Sequence, residues 1–362
     1  MNKTKKVYLE IMRIIAVFFV IFNHTSNNGF FLFSLHPTNS LQFWLYLFIS
    51  IFCKFSVPLF FMISGALLLD DKKDSLKELY KKKIFNIFII LLTFSFVYYI
   101  FDIYNNQLSF SFNVFFSRLY SYRLKYHLWY LYAYIAFLIT IPFLRSLVKN
   151  LKNKYFYYMI ILSIILTGIL PCLEYLIFHG NITLNNDIRP SWILQSIILY
   201  PCIGYYLEHR ITLENNKKNN LLILCAVNML GIFISCYMTY LKGQIDGFLT
   251  ESDSQTFFGN FILLNAIFIY IITKYIYTNH NILHKFDNLF LSVGKCSFGI
   301  YLIHVFVLEN FSFIYHIFCF LKNLGINSMI SCFIYCFIIM CCSYFSTLII
   351  SKIPIIKKIV GF

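Results

Sequence analysis

Charge is what this chain has least of. Of its 362 residues only 12% are charged, and just 15 are Asp or Glu. Soluble domains carry about 25% charged residues to cover their surface, so a soluble globular fold is excluded. Period-two alternation of apolar and polar residues is also missing, which rules out a membrane β-barrel. There is no CxxC pair among the eleven cysteines. The nearest groupings are Cys332 with Cys336 and the neighbours Cys341 and Cys342. The cysteines read as small packing residues, with no disulfide framework or metal site implied. No small-residue cleavage site follows the first apolar run, which reads as a retained helix. No loop is long enough for a second folded domain and no internal repeat is visible, so residues 1–362 read as one integral-membrane domain.

What is present is apolar length. Hydrophobic residues make up 59% of the chain, in blocks of about twenty, enough to cross a hydrocarbon core of roughly 30 Å. The expected fold is all-α, a polytopic transmembrane bundle. Ten spans are predicted, at 8–24, 41–69, 84–104, 127–147, 155–178, 191–207, 221–241, 257–277, 299–317 and 326–351. Pro58 predicts a kink or tilt in the second. Residues 292–298 are expected along the interface ahead of the ninth. The net charge of +15 would suit nucleic acid if it formed a patch, but its placement is topological. With the N-terminus inside, cytoplasmic segments hold 22 of the 30 Lys and Arg and outer segments hold 6, leaving Arg13 and Lys54 within spans. The Lys/Arg bias of inner loops therefore predicts cytoplasmic termini, the lipid bilayer as partner and no nucleic acid. The wealth of Asn, Lys, Ile and Phe points to an AT-rich bacterial genome, hence to a bacterial cytoplasmic membrane.

An ionisable group inside a span costs a few kcal/mol or more and calls for a reason. Arg13, His24, Lys54, Glu174, His304 and Glu309 are such groups, and His127 sits at the outer end of the fourth span. Arg13 and His24 are the most informative. Eleven residues turn a helix by about 1100°, three turns plus roughly 20°, so both point the same way, about 16 Å apart along the axis. On spacing alone, a snorkelling Arg and a His bonded to a carbonyl fit equally well. A functional reading has the imidazole as general base, since it ionises near neutrality, or as a nucleophile that carries an acyl group. Asn23 beside it could orient a ligand or pack.

At these residues the chain resembles a family. Tyr8-Leu9-Glu10-Ile11-Met12-Arg13-Ile14-Ile15-Ala16, ending in His24, is similar to the opening of the multi-pass acyltransferase-3 family, whose signature is Arg, ten residues, then His. Ser56-Val57-Pro58-Leu59-Phe60-Phe61-Met62-Ile63-Ser64-Gly65 resembles its Phe-rich stretch ending in Ser-Gly. His127-Leu128-Trp129-Tyr130-Leu131 resembles its "LW-aromatic-L" element, and Ser297-Phe298-Gly299-Ile300-Tyr301-Leu302-Ile303-His304 its "YLxH" element. The four occur in the family's order between residue 8 and about 310. Two departures stand out. Many members have Asp and Gly at the positions of Glu10 and Met12. Arg pairs often follow the Ser-Gly element, where this chain has Lys81, Lys82 and Lys83, and Lys lacks the bidentate fork of Arg. The resemblance implies transfer of an acyl group, commonly acetyl from acetyl-CoA, to a sugar hydroxyl of a lipid-linked or surface polysaccharide. No cofactor is held permanently; acyl-CoA is a substrate.

Other candidates take their place around that pair. Tyr301 and His304 are three apart and share a helix face; His304 read alone also fits a packing hydrogen bond. Glu309 and Glu174 could orient His24 or serve as rim groups. Trp129 and Tyr130 could stack on a sugar, yet fit an outer aromatic belt. The loop from Lys72 to Lys83 suits anionic headgroups, or in part the phosphates of coenzyme A. Lys54 has no assigned role. A competing class, a transporter or flippase for a lipid-linked sugar, also fits ten spans with buried charge. Such proteins often show paired halves, and none is visible.

Overall fold

The computed structural model describes residues 6–70, 75–107, 109–211, 217–245 and 255–352. Lys3, Lys5, Lys72, Lys73 and the tail after Lys352, all part of the charge excess expected on the inner side, lie outside them. Among the described residues there is no strand. The longer helices are α1 Val7–Asn23, α2 Leu41–Phe52, α3 Ser56–Leu68, α4 Phe85–Asn106, α5 Phe112–Ser121, α6 Trp129–Asn150, α7 Asn153–Ser163, α8 Leu170–Phe178, α9 Ser196–His209, α10 Lys217–Ile245, α11 Ile262–Asn279, α12 Asp287–Asn310, α13 Ser312–Asn323 and α14 Ser328–Ser351.

Eight helical stretches are long and apolar enough to cross a membrane. The other two of the expected ten are α1, with 17 residues, and α9, with 14. Both lie in the packed centre, where α1, α3, α9 and α12 meet. α9 is buried without a break from Leu199 to Leu207, as befits a helix apolar on every side. α1 stops at Asn23, and the chain continues through two 3-10 turns, Ser26–Asn28 and Leu32–Leu35, exposed at Ser26 and Asn27 and buried from Gly29 to Phe33. Thr25 closes that end: its hydroxyl donates to Phe22 O at 2.7 Å and accepts from Phe30 N–H at 3.0 Å. Ser50 then donates to Phe30 O at 2.6 Å.

The second span is two helices, α2 and α3, joined by a single 3-10 turn, Cys53–Phe55. Pro58 has no N–H to give to the Lys54 carbonyl four residues back, so the regular ladder cannot run through this turn. α3 crosses α9 at van der Waals limits. A Cβ on Gly65 would lie 2.0 Å from Pro201 O, and one on Gly204 would lie 2.0 Å from Met62 O. Small residues at such crossings let two backbones approach within a bilayer. Gly65 of the Ser-Gly element is thus a packing requirement.

Residues 292–298, expected along the interface, belong to α12 and run straight into the ninth span. Gly294 within it leaves room for the Glu10 side chain of α1; a Cβ there would sit 2.5 Å from Glu10 Cβ. α12 ends at Asn310, and residues 312–323 form the separate α13.

Candidate functional site

α1 delivers His24 to the end of the central group far from the N-terminus, where the helix stops. The His24 backbone N–H bonds Ile21 O and that of Thr25 bonds Phe22 O, each at 3.0 Å, so the residue is anchored while its ring stands beyond the last turn. Asn23, just before it, donates to Ser56 Oγ on α3 at 3.0 Å. The His24 ring stacks on that of His304 with centroids 5.4 Å apart and 26° between planes. Tyr126 covers it from another side, at 4.9 Å. His127, in the turn that opens α6, places its ring 5.4 Å from His304. Three histidines from three helices therefore share one cluster.

Hydrogen bonds hold the His304 ring and the His127 backbone. His304 Nδ1 lies 2.6 Å from Tyr301 O. A carbonyl only accepts, so Nδ1 carries the proton and Nε2 keeps its lone pair. The Tyr301 hydroxyl donates to the His127 carbonyl. Tyr98 on α4 donates to Leu302 O at 2.8 Å and accepts from Phe306 N–H at 3.2 Å. These are the two ends of one helical step, so the Tyr98 hydroxyl enters the α12 ladder on the turn that carries His304. Four buried polar atoms here lack a well-aligned partner: His304 Nε2, both ring nitrogens of His127 and Asn23 Oδ1. Buried polar groups are seldom left so, and their gathering in one place fits a polar substrate.

Arg13 lies on the same helix but opens elsewhere. It pairs with Glu10 at 2.7 Å and lines a cavity of about 400 Å³ with Lys82, Lys83, Lys295, Ser64 and Asn86. That lining holds four cationic side chains and no carboxylate. Tyr130 and Tyr301 also line it, their rings 5.4 Å apart. Tyr301 also lies 5.7 Å from His127. The two tyrosines thus form a wall between the cationic cavity and the histidines. Lys81 is absent from the lining, and Lys82 also pairs with Glu78 at 2.8 Å.

The remaining candidates are spread out. Glu309 pairs with Lys125 at 2.8 Å, and Asp102 holds the same ammonium at 3.1 Å. Burial disfavours the Lys125 charge, but the two carboxylates outweigh it and raise its pKa above the ordinary value. Glu174 accepts from Leu184 N–H at 2.7 Å, closing a loop, and makes no hydrogen bond or ion pair to the histidines among the described residues. Trp129 is 38% exposed and meets Tyr130 edge-on. Lys54 donates to Gln255 at 2.9 Å and sits 4.5 Å over the Phe30 ring.

A family model described as an acyltransferase domain, that of the acyltransferase-3 family, matches residues 6–349. The chain belongs to the acyltransferase-3 family. It is a membrane acyltransferase, which favours the transferase over a transporter or flippase. No curated protein and no solved structure matches it.

In this acyltransferase several neighbours of the site escape a reading of the sequence. Asp102 lies inside the predicted third span and bears the same signal as Glu309, a carboxylate in an apolar run. Lys125 and Tyr126 directly precede the His127 motif. Tyr98 has no signal at all, being one tyrosine among 28. Glu208, at the end of α9, ends in a knot of Lys6, Tyr8, Tyr270 and Lys274 that ties α1, α9 and α11; only its position beside a predicted span hinted at it.

Proposed function

We propose that this acyltransferase moves an acyl group, acetyl in the first instance, from cytoplasmic acyl-CoA to a hydroxyl of a cell-surface or lipid-linked glycan. The observation that carries the reading is the pairing of two unlike spaces along α1. One has a lining of four cations and no carboxylate, with Arg13 and Lys82 held from behind by Glu10 and Glu78, suited to the phosphates of coenzyme A; the other is a histidine cluster with unfilled hydrogen-bonding capacity, suited to a hydroxyl-rich acceptor. Charge placement supports the orientation, with both termini in the cytoplasm of a bacterial cell and the cationic cavity on the inner side. A single cysteine replacing Ser75 should then label from the cytoplasmic side alone.

In the proposed reaction His24 takes the proton of the acceptor hydroxyl as its oxygen attacks the thioester carbonyl. The C–S bond breaks, the thiolate of coenzyme A leaves, and the proton passes from His24 to that sulfur. An aromatic face favours a nearby cation, so Tyr126 would ease the passing charge on His24. Arg13, Lys82 and Lys83 would hold the donor. Tyr301 and His304, with His127, would position the acceptor, and Tyr130 would move for the thioester to reach His24. Purified protein given radiolabelled acetyl-CoA and surface glycan from the parent cell should place label on the glycan. Label that stays on coenzyme A throughout would overturn the reading.

A further inference from the structure

A second, shallow depression shares no lining residue with the cationic cavity. It measures about 230 Å³ and is lined by Tyr120, Ser121, Tyr122, Arg123, Trp129 and Tyr132. Its rings stand open: Tyr120 is 92% exposed and Tyr122 76%. Aromatic residues at an outer interface are ordinary by themselves. The arginine is not. Arg123 is exposed and has no carboxylate partner among the described residues. The sequence offers none nearby, since no Asp or Glu occurs between Asp102 and Glu174, and Asp102 is engaged by Lys125. On the proposed orientation the segment 118–125 is extracytoplasmic, yet it carries Arg118, Arg123 and Lys125, half of the 6 outer Lys and Arg of the chain. That runs against the bias of short loops. Lys125 is accounted for by its two carboxylates; Arg123 is not.

We infer that this cavity is an acceptor subsite for an anionic saccharide, a sugar bearing a carboxylate or phosphate. The planar guanidinium matches such a group with two parallel hydrogen bonds. A pyranose presents an apolar C–H face that packs on an aromatic ring, while its hydroxyls meet the tyrosine and serine oxygens. Along the chain the subsite adjoins a residue that touches His24. Tyr126 is three residues on from Arg123, at most about 11 Å of extended chain, and its ring touches that of His24 at 4.9 Å. Trp129 abuts Tyr130, which abuts Tyr301. A sugar held by Arg123 would thus lead the next residue of its chain toward His24.

This inference rests on the glycan acceptor proposed above, and the test separates the two. Full-length protein in a zwitterionic detergent is titrated with tetragalacturonate and with maltotetraose, a neutral probe of equal length, at low salt. Tetragalacturonate is expected to bind about tenfold more tightly, near 1.4 kcal/mol. R123Q should bring it down to the neutral probe, R123K should retain part of the preference, and W129A should weaken both. A thermal melt equal to the parent's shows that R123Q is folded. Equal affinities in the parent, or a preference that survives R123Q, would overturn the subsite. So would displacement of tetragalacturonate by an equal concentration of phosphatidylglycerol, which would assign the arginine to a lipid headgroup. Binding without acyl transfer would sink the proposed reaction and spare the subsite; transfer without charge preference would do the reverse.

Discussion

His24 and His304 stack with ring centroids 5.4 Å apart and 26° between planes. The pairing depends on a second bond, His304 Nδ1–H to Tyr301 O at 2.6 Å, which locks the lower ring. An Asn at 304 can still donate near the Nδ1 position, while Ala cannot. His304→Asn is therefore expected to keep more activity than His304→Ala, whose turnover should fall by as much as about 10²-fold through misplacement of the site. Steady-state kinetics on both purified variants checks this; equal losses would mean that the bond to Tyr301 has no part in positioning.

Tyr98 should matter through its hydroxyl alone. Tyr98→Phe keeps the ring but leaves Leu302 O and Phe306 N–H without their shared partner. Leaving buried polar groups unmet costs about 1–3 kcal/mol, here on the turn of His304. The expected result is a lower melting midpoint and a lower turnover, with an unchanged KM for acyl-CoA. A parent-like melt and turnover would show that the ladder closes without the hydroxyl.

The donor cavity distinguishes lysines that are adjacent in sequence. Lys82 and Lys83 line it and Lys81 does not. Partly exposed charge pairs contribute up to about 1 kcal/mol each, so replacing Lys82 and Lys83 by Gln should raise the KM for acyl-CoA roughly tenfold. Lys81→Gln should leave it near the parent value. Arg13→Lys should lose most activity, because the fork geometry goes although the charge stays. A KM unmoved by the double substitution would reduce these lysines to topology signals.

The crossing of α3 and α9 gives a stability test free of chemistry. Gly65→Ala places a methyl 2.0 Å from Pro201 O, against backbone that cannot yield cheaply. Overpacking typically costs about 1–3 kcal/mol. Gly259→Ala, where nothing lies within 4 Å, is the control. Gly65→Ala is expected to melt below both the parent and the control; matching melts would contradict the close crossing.

Much of this was legible in the sequence because a bilayer punishes exceptions. Apolar length announced the bundle, and the expense of ionisable groups in hydrocarbon singled out Arg13, His24, His304 and Glu309. The motifs brought in His127 and Tyr301, while helical geometry, which set Arg13 and His24 on one face, left unseen that His24 follows the last turn of α1 and that Arg13 lines a separate cavity. What stayed hidden depends on contacts between distant segments. No periodicity tells that two 3-10 turns follow α1, that Tyr98 enters the ladder of α12, or that Gly294 lets Glu10 pack against α12. The wall of Tyr130 and Tyr301 was equally invisible, since the sequence places Arg13 and His24 on one face of one helix but says nothing of what stands between them.

The central claim is that His24 moves the proton. The most direct measurement is acyl transfer from labelled acetyl-CoA to glycan by purified His24→Ala whose melt matches the parent's. A general base contributes about 10²–10⁴-fold, so the account predicts a loss of at least about 10²-fold at saturating acyl-CoA with the donor KM unchanged. Turnover within a few-fold of the parent would contradict it.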